Sequence, residues 1–200
     1  MRVFGVKLFY RSDGVDLENW LRDRLLRLRA KIEAIPRREF GATPSEELVN
    51  TVMRENCVRP LVLDLVYAKN DAEEVGSDFS LRASGHAGAI RSELRATKSI
   101  VFNGNRSLWH LRPTSVSGTV PYGDIQGPTI VIGVSVDPHE SDAAVRHIEA
   151  TILGIREHLE CQEAQIARHN TSIRYHAMQW VQIRKRHRTA ASDLVRRLGG

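Results

Sequence analysis

Hydrophobic positions along the chain change period several times, and each change predicts an element. Phe4, Val6, Leu8 and Tyr10 alternate, as in a short opening strand. The period then lengthens. Leu17, Leu21, Leu25, Leu28, Ile32 and Ile35 recur every three or four residues, which predicts a helix with one apolar stripe, ended by Pro36. Thr43-Pro44-Ser45-Glu46 reads as an N-cap, a first-turn proline and a capping-box glutamate, opening a shorter helix lined by Leu48, Val49, Val52 and Met53. VRPLVLDLVY, residues 58–67, is β-branched and apolar and predicts a strand, whereas the acidic KNDAEEVGSD after it reads as a loop. Residues 79–82 and 94–102 are further strand candidates, with the glycine-bearing SGHAGA between them. TIVIGVSV, residues 129–136, is the clearest strand, preceded by the turn-rich VSGTVPYGDIQGP and closed by Pro138.

The last third has the longest pattern. Val145, Ile148, Ile152, Ile155, Leu159, Gln162, Ile166 and His169 step by three and four after an N-cap at Ser141. A helix of about 29 residues there is on the order of 43 Å long, more than a small sheet covers. A second helical pattern runs through Ile173, Ala177, Trp180, Val181 and Arg184, and the intervening HNTS fits a kink, a tight turn or unbroken helix. These segments predict an α+β fold: a small, mainly antiparallel sheet with N-terminal helices and a long C-terminal helical hairpin or extended helix. The expected division is an α+β domain over 1–138 and a helical segment over 139–200 that packs on it or mediates self-association. Ile148, Ile152, Ile155, Leu159 and Ile166 are the expected contacts of a homo-oligomer.

Length and composition narrow the class. Two hundred residues with 42% hydrophobic content can enclose a core without staples. Cys57 and Cys161, the only cysteines, have no paired-thiol spacing and fit reduced thiols in a cytoplasm. Lys7 and Arg11 interrupt the opening segment, against a signal peptide, and no apolar run reaches the roughly 18 residues of a membrane span.

Charge points to a partner. The net charge of +5 is modest, but residues 167–200 carry eight bases against the single acid Asp193. Arg184, Lys185, Arg186, Arg188, Arg196 and Arg197 are therefore candidate contacts to nucleic-acid phosphates, and a solvated helix end is the plainer alternative. Catalytic signatures are missing: the chain has no G-x-S-x-G elbow, Walker loop, H-E-x-x-H or acidic-x-lysine element. His158 and Cys161, at i and i+3 beside Glu157, need a ligand from elsewhere to hold a metal, so neither metal nor cofactor is expected.

FNGNRSLWHLRPTS, residues 102–115, reads first as a structural corner: a strand end at Phe102, turn chemistry through Gly104, and Trp109 packed beneath, with Arg112 extended before Pro113. The same stretch resembles a motif of uncharacterised bacterial proteins that carry a C-terminal PD-(D/E)xK restriction-endonuclease-like domain. Phe102, Gly104, Trp109, Arg112 and Pro113 form the signature. IEAIPRREFGATPSEELVNTVMRENCVRPLVLD, IEATILGIREHLECQEAQIARHNTS and RKRHRTAASDLVRRLGG extend the likeness over most of the chain, although Asn103 and Asn105 replace the motif's threonine and aspartate. The resemblance implies a sensing, assembly or targeting module of a bacterial defence nuclease system. Cleavage would belong to a fused or separate nuclease effector rather than to this chain. Nucleic-acid binding by the basic C-terminal helix is the alternative.

Overall fold

The computed structural model describes residues 1–76, 92–116 and 118–199. The fold is α+β, with an open antiparallel sheet of six strands, three N-terminal helices and a long C-terminal helix. Its strands are β1 (Arg2–Val3), β2 (Val6–Lys7), β3 (Val62–Gly76), β4 (Ser92–Asn103), β5 (Tyr122–Gln126) and β6 (Thr129–Val136). They order as β2-β5-β6-β4-β3, with β1 also paired to β6. The helices are α1 (Leu17–Ala34), α2 (Arg37–Ala42), α3 (Ser45–Asn56) and α4 (Ser141–Arg197).

The predicted opening strand is two short ones. Gly5, at φ +87°, steps the chain from the edge of β6 to the edge of β5, and a Cβ there would collide with the Gly123 carbonyl. Phe9 also adopts a positive φ, +53°. That strain is offset by full burial, a hydrogen bond from its N–H to the Trp109 carbonyl, and packing against Trp109 and His158. In the predicted loop, residues 69–76 instead continue β3 as an edge strand. Pairing with β4 satisfies its backbone there, and Glu73 meets Arg95 across the ladder at 3.0 Å. The turn-rich segment before β6 contains β5, which returns through a two-residue Gly127-Pro128 loop. The strand candidate at 79–82 and the SGHAGA turn lie outside the described residues.

Between α1 and α3 lies α2, which the apolar pattern does not predict. It takes Thr43 as its C-cap, and α3 starts one residue after Pro44 without a side-chain cap, in place of the expected capping box. The C-terminal segment is one helix of 57 residues, about 85 Å at 1.5 Å per residue, rather than a hairpin. Its HNTS stretch stays helical because Asn170 spends its amide elsewhere: Val58 N–H donates to Oδ1 and Nδ2 donates to the Val58 carbonyl, both at 3.0 Å.

Two larger cores share this helix, and a small cluster of Val134, Val136 and Ala144 lies near its start. The first half of α4 supplies Ile155, Leu159 and Ile166 to a core built with the sheet and the start of α1. The second half supplies Ile173, Ala177 and Val181 to a core with the end of α1, α2 and α3. α4 thus packs along both the sheet and the N-terminal helices. Among the described residues, no helix is long and apolar enough to cross a membrane.

Candidate nucleic-acid interface

The basic end of α4 divides into cations that hold the fold and cations that face solvent. Arg184 is half-buried and caps the C-terminus of α1: one guanidinium NH2 group donates to the Ile32 carbonyl and the other to the Ile35 carbonyl at 2.5 Å. Its guanidinium also lies 4.2 Å from the Phe40 ring centre. Those carbonyls end a helix, so they carry partial negative charge, and the backbone offers the Ile32 carbonyl only a long bond from Ile35 N–H at 3.4 Å. Lys185 donates to the Thr43 carbonyl at 3.3 Å, and Arg188 donates to the Arg37 carbonyl at 2.9 Å.

Arg188 stays exposed despite this bond, and the other three predicted cations are exposed as well. Arg186 stands on the opposite side of the helix from these clamps, Arg196 pairs with Asp193 at 2.9 Å, and Arg197 lies in the last turn. The six residues do not form one patch. What the structure brings together is different: Arg37 of α2 joins Arg184, His187 and Arg188 around a groove of about 430 Å³ floored by Phe40. None of the groove's lining residues is acidic. Arg37 lies 151 positions from Arg188, and only the docking of α2 on α4 makes them neighbours. A cation density read along the sequence misses it.

The expected self-association seam has an internal partner. Ile155, Leu159 and Ile166 are 0%, 9% and 1% exposed, and Ile148 and Ile152 pack against the same core. These side chains belong to the chain's own core.

The signature turn is a packing hub. Phe102 and Trp109 meet edge to face at 5.3 Å, and Gly104, at φ +112°, passes so close to Pro60 that a Cβ would strike its carbonyl. The Arg112 carbonyl accepts from Leu17 N–H at 3.0 Å, and Pro113 is buried. Gln162 of α4 donates to the Leu108 and Leu111 carbonyls, so the turn is sewn to the long helix.

The histidines of α4 serve the interior as well. His158 stacks on Phe9 at 4.6 Å and bonds the Gly154 carbonyl at 2.7 Å, while Cys161 is part-buried. Among the described residues no group of three or more His, Cys, Asp or Glu is placed to hold a metal. His169 is 9% exposed beside a groove between α1 and α4; burial, with the nearby charge of Arg24, pushes its imidazole down to about 4. Burial raises the Cys57 thiol, with Arg24 opposing, which leaves it a weak nucleophile.

Comparison with known proteins finds no matching family model, no matching curated protein and no matching solved structure. The link to restriction-endonuclease-like proteins therefore rests on the sequence resemblance.

Proposed function

We propose that this chain is a non-catalytic targeting module of a bacterial, restriction-type defence system that contacts nucleic acid through the basic end of α4 and the adjoining α2. The observation that carries the nucleic-acid half is the groove where Arg37, Arg184, His187 and Arg188 converge with no acid in its lining. Two of these guanidiniums, those of Arg184 and Arg188, are already held by backbone carbonyls, so little of their side-chain freedom remains to be lost when a phosphate arrives. Arg186, exposed on the opposite side of α4, and Arg197, exposed in its last turn, add positive charge outside the groove. The nuclease half follows from the resemblance around residues 102–115, and the effector it implies is a fused domain or separate protein.

Binding of this kind is to the backbone of the nucleic acid. Charge reversal at Arg37, Arg186 and Arg197 leaves the internal clamps in place and should weaken binding across sequences. It should flatten the dependence of log K on log salt by about 0.7–0.9 for each phosphate no longer neutralised. Fluorescence anisotropy with labelled oligonucleotides measures both. Wild-type protein that shows no salt-dependent binding refutes the reading. Metal-dependent cleavage by the purified chain, abolished by replacing one of its own acids, contradicts the non-catalytic part.

A further inference from the structure

The solvent face of α4 differs from the clamped one. Arg168, Tyr175, Gln179, Gln182 and Arg186 are all exposed and are spaced seven, four, three and four residues apart, which puts them on one outward stripe. Tyr175 is 61% exposed, yet its ring is held: Gln179 Nε2 donates to the phenol oxygen at 2.8 Å. His176 meets Tyr175 edge to face at 5.5 Å and stacks on Trp180 at 5.4 Å with the planes 24° apart. Three rings therefore run continuously from the crest of the helix toward its half-buried flank. Met178, 43% exposed, adds an apolar surface in the same turns.

Charge along this stretch has one sign. Residues 164–192 contain no Asp or Glu, and the exposed arginines Arg168, Arg174 and Arg186 bracket the rings. Arg168 and Arg186 are about 27 Å apart along the helix axis at 1.5 Å per residue.

Rings between cations suit a ligand that offers both phosphates and unpaired base faces. A duplex presents phosphates but keeps its base faces stacked inside, so an exposed tyrosine on a straight helix gains little from it. A single strand can lay bases on the rings while its backbone follows the arginines. We infer that the outward face of α4 between Arg168 and Arg186 binds single-stranded nucleic acid. This rests on the targeting reading above and names its substrate class: the strand's phosphates and exposed bases, whether DNA or RNA.

The test is anisotropy with labelled oligo-dT, oligo-U and a mixed-sequence duplex of equal length, at one salt concentration. Single strands should bind roughly tenfold more tightly than duplex, and Tyr175→Ala should weaken single-strand binding on the order of tenfold while leaving duplex binding unchanged. Tyr175→Phe should retain the wild-type preference, since the ring and not the hydroxyl provides the stacking surface. A preference for oligo-dT or oligo-U supports the inference and identifies the source. Equal binding of duplex and single strand overturns it, as does a Tyr175→Ala variant with undiminished single-strand affinity; in either case the cationic reading stands. Wild-type protein that binds no nucleic acid overturns both.

Discussion

Arg184 shows how a cation counted toward a binding patch can belong to the fold. Its guanidinium joins the Ile32 and Ile35 carbonyls and the Phe40 ring, so removing it strips two part-buried acceptors of their charged donor. Arg184→Met should lower unfolding free energy by about 2–3 kcal/mol in urea titration, the scale of hydrogen bonds to charged groups. Arg184→Lys should recover little of the loss, because a point charge cannot span two carbonyls as the planar fork does. His169 makes the converse point about a polar group near a groove. Well above pH 6.5 its imidazole is neutral in both the folded and the unfolded chain. As pH falls from 6.5 toward about 4 the unfolded chain takes up a proton that the folded site refuses, and stability declines. His147, also lowered by burial, adds in the same direction. His169→Gln should flatten this decline by on the order of 2 kcal/mol after allowing for solvent screening, read from unfolding midpoints between pH 7 and pH 4.

At the scale of elements, α4 depends on side chains that hold neighbouring segments to it. Asn170→Ala removes both hydrogen bonds to Val58 and should cost about 1–3 kcal/mol in thermal or urea unfolding while α4 stays helical. The elements legible in sequence are those that bury one regular face: α1 through its leucine stripe, β6 through the alternation of Ile130, Ile132, Val134 and Val136, and the long seam of α4. Elements defined by a partner leave a weaker trace. β5 is visible only as half of a hairpin with β6, and residues 69–76 of β3 are polar because they lie at a sheet edge. α2 contributes a single buried side chain, Phe40, and has no periodic pattern. The candidate site follows the same rule. The cation run is plain in the sequence, but which of its members face solvent depends on where α1 and α2 dock. The helical pattern places Trp180 with apolar Ala177 and Val181, and gives no sign that it also ends a ring ladder reaching Tyr175 at the surface.

Over the whole molecule, one helix about 85 Å long joins a sheet-backed core to a helical core and separates their chemistry. The first half of α4 is acidic and basic by turns and lies against the sheet. Residues 164–192 carry no carboxylate and run along α1, α2 and α3. The Ile155–Ile166 seam is part of the chain's own core, and the far end of α4 is cationic. On the reading proposed above, this end contacts nucleic-acid phosphates. The most direct measurement is the wild-type association constant for a labelled oligonucleotide over a salt series. Phosphate contact of this kind should give a linear fall of log K with log salt, with a slope of about −2 to −4 for a handful of neutralised phosphates, reduced by charge reversal at Arg37, Arg186 and Arg197. A flat salt dependence, or no binding at low salt, would contradict it.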